Sequence, residues 1–327
     1  MDKILVTGGA GFIGSSFVRH LLNNTDCAVI NLDKLTYAGT LSNIEDLRRQ
    51  KRHKFVRGDI RNRKLVGSLV KKADAVVNFA AESHVDRSIK TPSVFVESNV
   101  LGVQVLLEAC RRFGVRFEQI STDEVYGSRV EGSFVETDVL NPSSPYSASK
   151  AAADLLVNAY HITYGLEVTV TRSTNNYGPN QHPEKLIPRL ITNALRGKPL
   201  PIYGSGENIR DWIFVEDNCG AILTVLEKGE KGETYNIGGG NERKNVEIAK
   251  EILRCLSLPE AMIEFVGDRP GHDFRYSLNC DKARRLGWKP HVDFGEGLQK
   301  TIDWYTTNQW WWRRLVAQQT GKRHSLG

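Results

Sequence analysis

The chain has 327 residues, 40% hydrophobic and 25% charged, enough for one large domain or two intimately packed ones around a full-sized core. Its net charge of +6 is mild, and Lys and Arg are scattered apart from pairs such as Arg48-Arg49 and Arg313-Arg314, which fits anionic small substrates better than nucleic acid. Five dispersed cysteines without a CxxC pattern, an N-terminus that enters a strand directly, and no apolar run near about 18 residues predict a cytoplasmic protein with reduced thiols, no signal peptide, no membrane span and no metal site.

Lys3–Thr7 reads as a short apolar strand, and Gly8-Gly-Ala-Gly-Phe-Ile-Gly14 follows at once. Phe12, Val18, Leu21 and Leu22 then recur at helical spacing. Ala28–Leu32 is a second strand ending at Asp33. Gly9, Gly11 and Gly14 spell GxGxxG, and Gly8 extends the pattern. Placed between a strand and a helix, with an acidic residue about twenty positions on, this is the fingerprint of a dinucleotide site. Glycines let the backbone approach a pyrophosphate resting on the helix N-terminus; without a ligand they make only a tight turn. Asp33 would accept from the adenosine ribose and repel a 2′-phosphate, favouring NAD over NADP, although the neighbouring Lys34 works against that preference.

Lys54–Arg57, Ala75–Phe79 and Arg116–Ile120 are further strands, alternating with helical patterns such as Val94–Phe113 and Pro145–Tyr164, and Val168–Arg172 adds one more. Such alternation predicts a Rossmann-type, doubly wound parallel sheet in an α/β fold. Asp59-Ile60, after the third strand, suits an adenine edge or a simple turn. Phe79–Ser88 follows the fourth strand, where ligands bind in such sheets. Ala80 and Ala81 would leave room for a cofactor; the charged tail Glu82, His84, Asp86, Arg87 is either functional or a surface ion-pair cluster. Beyond Asn175 prolines and glycines become denser and the elements shorter. Residues 1–174 are therefore expected to hold the cofactor, with return segments near 211–237 (Trp212–Val215 and Thr234–Ile237), and residues 175–327 to form mainly a smaller, interleaved substrate domain.

The chemistry concentrates in Ile120-Ser-Thr-Asp-Glu-Val-Tyr-Gly127 and Tyr146-Ser-Ala-Ser-Lys150. Tyr146 and Lys150 stand four apart on one helix face. A tyrosine beside an ammonium is expected to have a lowered pKa and to act as a base near neutral pH. Thr122, Asp123 and Glu124 add a hydroxyl and two acids at a strand end: enough for redox chemistry plus an elimination, or else a solvated turn.

Gly8–Gly14, Asp33–Gly39, Ala80–Ser88, Ser121–Gly127 and Tyr146–Lys150 together resemble the extended short-chain dehydrogenase/reductases. Within them the resemblance is to the dTDP-glucose 4,6-dehydratase family, and it continues through Asn175–Pro179, Pro183–Pro188, Arg210–Asp217 and Arg269–Asp273. The resemblance implies conversion of dTDP-glucose, or a related nucleotide sugar, to its 4-keto-6-deoxy sugar and water, with NAD held tightly and regenerated. Tyr146, assisted by Lys150 and Thr122, would deprotonate the 4-hydroxyl; Glu124 would remove the C5 proton; Asp123 would protonate the departing 6-hydroxyl. Asp123 must then be protonated while Glu124 is ionised, as neighbouring carboxyls in a closed site can be. A 4-epimerase of the same fold needs no such acid pair, and a non-catalytic NAD sensor needs neither the pair nor Tyr146 and Lys150.

The same resemblance implies cofactor contacts from Gly8, Gly11, Phe12, Ile13, Gly14, Asp33, Lys34, Thr36, Asp59, Ile60, Ala80, Ala81, Ser83, Asn99, Tyr146, Lys150 and Asn175. It implies substrate contacts from Ser83, His84, Thr122, Asn176, Lys185, Leu186, Pro201, Tyr203, Arg210, Asn245, Arg269 and His272. The two arginines suit a diphosphate or, alternatively, interdomain ion pairs. Two departures stand out: a short loop at Ser128–Ser133, and Phe274 where an arginine is common. The resemblance also implies a homodimer through helices Val94–Phe113 and Pro145–Tyr164. The run Trp310-Trp-Trp-Arg-Arg314 suggests packing only.

Overall fold

The computed structural model describes residues 1–268 and 272–323; Arg269 lies outside the described residues. Strands β1 (Lys3–Thr7), β2 (Ala28–Asp33), β3 (His53–Arg57), β4 (Ala75–Asn78), β5 (Arg116–Thr122) and β6 (Val168–Ser173) fall within two residues of the apolar runs that predict them. Six more strands follow among the described residues: β7 (Asn175–Tyr177), β8 (Leu200–Tyr203), β9 (Ile209–Phe214), β10 (Thr234–Ile237), β11 (Glu242–Lys244) and β12 (Ile263–Val266). The main sheet runs β10-β6-β5-β4-β1-β2-β3, with every neighbouring pair parallel. This is a Rossmann-type doubly wound sheet. Its strand order reverses between β1 and β4, and that switch point opens a crevice at the carboxyl ends of the strands.

Alternation along the strands assigns the two faces. Ile4 and Val6 pack with Phe17, Val18 and Leu21 of helix Phe12–Asn24 and with Cys219 and Ile222 of helix Val215–Lys228. Leu5 points the other way, into a core with Val66, Leu69, Val103 and Leu106. A second, separate core gathers Tyr177, Leu190, Trp212, Phe214, Ile248, Leu298, Trp311 and Trp312. It lies with a three-stranded sheet, β11-β9-β7, and with the β8–β12 pair.

One expectation changes here. Thr234–Ile237 enters the large sheet as β10, but Trp212–Phe214 belongs to β9 and pairs with β7. The edge beyond β6 is already occupied by β10, so β9 finds its partner in the small sheet. The helical stretch Pro92–Phe113 is long and apolar enough to cross a membrane by length and composition alone, but Glu97, Glu108, Arg111 and Arg112 interrupt it, so it is not a continuous apolar run. Half of its most apolar 18 residues is buried in the fold, because Val103, Val105, Leu106, Leu107 and Cys110 fill the core. Its middle, Val96–Leu101, is π-helical and carries the buried Asn99.

One buried group on β5 has no role in the crevice. Glu118 is fully buried, and among the described residues neither carboxylate oxygen has a hydrogen-bond partner. Burial pushes its pKa well up, opposed by Arg116. The unfolded chain ionises this acid at its ordinary pKa and the folded chain resists, so stability is lost as pH rises above the unfolded value. Glu118→Gln is therefore expected to raise the melting temperature by a few degrees near neutral pH, about 1–2 °C per kcal/mol for a chain of this size, and by less in mild acid. Differential scanning calorimetry at the two pH values checks this.

Candidate active site

At the cofactor end, β1 runs into a loop that passes directly against β4. Gly8 has φ +71°, and a Cβ there would stand 2.6 Å from the Ala80 amide nitrogen, so this position requires glycine. Helix Phe12–Asn24 is capped by Gly11, which has no side chain to offer. Its first-turn N–H groups are thus available to an anion, and Gly11, Phe12, Ile13 and Gly14 line the crevice. Asp33 closes β2 with one oxygen accepting from Ala10 N (2.9 Å) and the other from Leu35 N (2.7 Å). Burial raises its pKa, and those two donors oppose the rise. Lys34 is paired with Asp59 at 2.8 Å. Although burial works the other way, Arg61 and Lys34 together hold the Asp59 carboxyl below its ordinary range. The lysine expected to weaken the NAD preference thus has its charge matched by Asp59.

At the reaction end, β5 delivers Thr122, Asp123 and Glu124 into the same crevice. Thr122 caps a short 3-10 turn, Asp123–Tyr126: its Oγ1 accepts from Glu124 N (3.3 Å) and its hydroxyl donates to Asp123 Oδ1 (3.2 Å). Asp123 is 3% exposed. Burial, then the charge of Glu124, push its pKa well up; Thr122 and Arg210 oppose. Burial and the Glu124 charge thus favour the protonated carboxyl, the form that its expected part as an acid requires. Helix Pro145–Tyr164, opened by a Ser144–Ser147 capping box, presents Tyr146 and Lys150 to the crevice.

The expected lowering of the Tyr146 pKa is not what this geometry gives. Burial and the Glu124 charge raise it well above its ordinary value, with only Thr122 opposing. Lys150 donates to the Ile120 carbonyl at 2.5 Å. Burial lowers the Lys150 pKa to about 8 against the pull of Asp154. An ammonium engaged by a carbonyl and itself costly to bury does not offset what burial and a neighbouring carboxylate do to the phenol.

Gly8, Gly11, Phe12, Ile13, Gly14, Asp33, Lys34, Thr36, Asp59, Ile60, Ala80, Ala81, Ser83, Thr122, Asp123, Glu124, Tyr146, Lys150, Asn175, Asn176 and Lys185 all line this one crevice. Asn99 stands behind its wall: its amide accepts from Glu82 N, and donates to Glu82 O and Ser149 Oγ. His84 and Leu186 are also outside the lining. The sugar-nucleotide candidates Pro201, Tyr203, Arg210, Asn245 and His272 do not line this crevice. The Tyr203 and His272 rings meet edge-on at 6.2 Å. Arg210 Nη2 donates to Asp273 O (2.9 Å), and its guanidinium lies 4.4 Å from the Tyr276 ring centre. Arg210 also acts electrostatically on Asp123, and Glu124 on Tyr276, so Arg210 and Tyr276 adjoin the crevice.

The sequence singled out no contact residue among Gln181, His182 and Glu184, all of which line the crevice. Arg87 pairs with Glu184 at 3.1 Å and its guanidinium lies 3.6 Å from the Tyr37 ring centre. Lys185 Nζ donates to Ser83 O at 2.7 Å. The charged segment after β4 is thus a clasp across the crevice rather than a surface cluster. Burial first, then nearby cations, push His84 and His182 down to about 3, so both are neutral at physiological pH. The denser prolines beyond Asn175 and the resemblance over Pro183–Pro188 were the signals available for this loop.

The sequence profile described as GDP-mannose 4,6 dehydratase matches residues 5–301. The chain belongs to this dehydratase family. Among dehydratase relatives, a dTDP-glucose 4,6-dehydratase of Escherichia coli is 48% identical, with 99% of each chain covered. The low-salt glycan biosynthesis protein Agl12 of Haloferax volcanii is 54% identical over 92% of this chain and 98% of its own. Among solved structures, DesIV, a dTDP-glucose 4,6-dehydratase from Streptomyces venezuelae crystallised with NAD, superposes with a TM-score of 0.94 at 51% identity, covering 96% of this chain and 99% of that one.

Proposed function

We propose that the chain is a dTDP-glucose 4,6-dehydratase: it converts dTDP-glucose to dTDP-4-keto-6-deoxyglucose and water. The observation that carries this is the pair Asp123-Glu124 at the end of β5, in one crevice with Tyr146 and Lys150, where burial and the Glu124 charge push the Asp123 pKa up. An epimerase has no use for that acid.

The crevice suits NAD in its own atoms. A glycine loop, open helix N–H groups and the Asp33 carboxylate match a pyrophosphate and a ribose without a 2′-phosphate. Among the described residues, Asp123 Oδ2, Asn175 Oδ1, Asn176 Oδ1 and Gln181 Oε1 are buried without hydrogen-bond partners, and all four side chains line the crevice. Buried polar atoms of this kind call for a ligand or water. Bound NAD supplies a temporary oxidant for carbon 4, and later the reductant for carbon 6.

The protein residues handle the protons. Tyr146 takes the proton of the sugar 4-hydroxyl, oriented by Thr122 and supported by the Lys150 charge. The ketone at carbon 4 acidifies the carbon 5 proton, which Glu124 removes. Asp123 donates its proton to the oxygen at carbon 6, which leaves as water. Arg210, with its forked donors, suits the diphosphate, and Tyr203 the base. Residues 1–174, with β10, form the NAD side, and 175–327 mainly the sugar-nucleotide side. Exposed Val94, Val96, Leu101, Leu155 and Ile162 on the two long helices support a homodimer. Five free thiols, four of them buried, support a cytoplasmic location.

Parallel assays with dTDP-, UDP- and GDP-glucose, reading the base-induced absorbance of the 4-keto product, test the substrate. dTDP-glucose is expected to have the highest kcat/KM. Preference for another nucleotide would overturn the dTDP assignment, and inversion at carbon 4 without loss of water would overturn the dehydratase.

A further inference from the structure

The three consecutive tryptophans near the C-terminus do three different things. Trp310 is 63% exposed, whereas Trp311 and Trp312 are buried. Trp312 Nε1 donates to Tyr305 O at 2.7 Å, within its own helical pair. Trp311 Nε1 donates instead to Asn43 Oδ1 at 3.0 Å, across 268 positions of sequence. Asn43 is wholly buried, and its Nδ2 donates to the carbonyl of Ala10 at 2.9 Å. An indole can only donate and a peptide carbonyl can only accept, so the Asn43 amide has one orientation. Arg19 donates to the Asn43 carbonyl, and Thr40 N donates to the same Ala10 oxygen at 3.1 Å.

Ala10 is the centre of the glycine loop, and its own N–H is the donor that holds Asp33 Oδ2. The peptide groups on either side of Ala10 are thus fixed by Asp33 and by Asn43, and the second anchor is in turn held by the indole. The Trp311 ring belongs to the C-terminal core, 5.0 Å from Trp304 and 6.3 Å from Tyr305. Tyr305 donates its hydroxyl to the Gln181 carbonyl, and Gln181 Nε2 donates to Asn176 O at 2.8 Å. One aromatic block therefore reaches the glycine loop on one side and the sugar-side loop on the other.

We propose that Trp311 is a positioning residue for the cofactor loop, acting through Asn43 on the Ala10 peptide and so on Asp33. This rests on NAD being the molecule that the glycine loop holds. Trp311→Phe keeps an aromatic ring in the core and removes the indole donor together with part of the ring, a loss of volume that the control below shares. Trp312→Phe is its matched control: it loses an equally buried indole bond, made to Tyr305 O and not to Asn43. Asn43→Asp keeps the acceptor for the indole and replaces the donor to Ala10 by an oxygen.

Equilibrium dialysis of NAD-stripped full-length protein against labelled NAD, alongside thermal melts, reads the outcome. Trp311→Phe and Asn43→Asp are each expected to raise the NAD dissociation constant about tenfold, the scale of one lost buried hydrogen bond. Trp312→Phe is expected to lower the melting temperature similarly and leave NAD affinity unchanged. The KM for the nucleotide sugar at saturating NAD should not move in Trp311→Phe. Wild-type NAD affinity in both Trp311→Phe and Asn43→Asp, or equal weakening by Trp311→Phe and Trp312→Phe, overturns the proposal. Should Trp311→Phe not fold, Asn43→Asp against Trp312→Phe decides by the same criterion. A wild-type chain that binds no NAD overturns the cofactor assignment, and the proposal with it.

Discussion

Glu124→Gln is expected to lower turnover of dTDP-glucose by about 10²- to 10⁴-fold, the usual worth of a positioned general base, while leaving reduction of bound NAD measurable. The variant would keep the backbone N–H at this position that Thr122 Oγ1 accepts, because that contact does not involve the side chain. The substitution removes a negative charge that raises both Tyr146 and Asp123. Both pKa values should therefore fall. For Tyr146 the consequence is a base that forms at lower pH, so the first half of the reaction should shift its pH profile downward. For Asp123 it is a weaker hold on the proton needed at the oxygen of carbon 6. Single-turnover absorbance of the nicotinamide, followed across pH beside product formation, separates the two halves. If both halves are lost to the same degree, Glu124 is not the base at carbon 5.

Local periodicity made most of the fold readable. β1 to β6 each alternate or run apolar over a few residues, and the glycine loop sits between a strand and a helix, so the sheet and the cofactor end followed from short stretches. What stayed hidden depends on partners distant in sequence. Nothing in Trp212–Phe214 says which strand it pairs with; that is decided by β10 occupying the outer edge of β6. Arg87 and Glu184 meet across 97 positions, so a charged segment after β4 looked the same whether it faced solvent or clasped a loop. The direction of the Tyr146 pKa shift was hidden for a related reason. Four residues of spacing bring a lysine to the same helix face, but the depth of burial and the proximity of Glu124 are properties of the packed chain. For the nucleotide end, the resemblance located Arg210, Tyr203, Asn245 and His272, none of which lines the main crevice.

Tyr146→Phe is expected to reduce kcat by about 10³-fold and, unlike Glu124→Gln, to abolish reduction of bound NAD. The phenyl ring can keep its edge-on contact with Phe95 at 6.3 Å, so the loss should be chemical and the melting temperature nearly unchanged. The contrast between the variants orders the steps: Tyr146 acts before the sugar is oxidised and Glu124 after. Lys150 then supplies a pH test. Its folded pKa is lowered to about 8, so it is charged below that pH and neutral above it. Its support for the phenolate is present on the acid side and disappears as pH rises through about 8. Lys150→Met should therefore slow sugar oxidation strongly below about pH 8 and progressively less above it. A constant ratio of wild-type to variant rates on both sides of that value would mean that the lysine charge does not support the tyrosine. Lys150 would then serve by its bond to the Ile120 carbonyl, holding β5 and its acids at the correct height over the crevice.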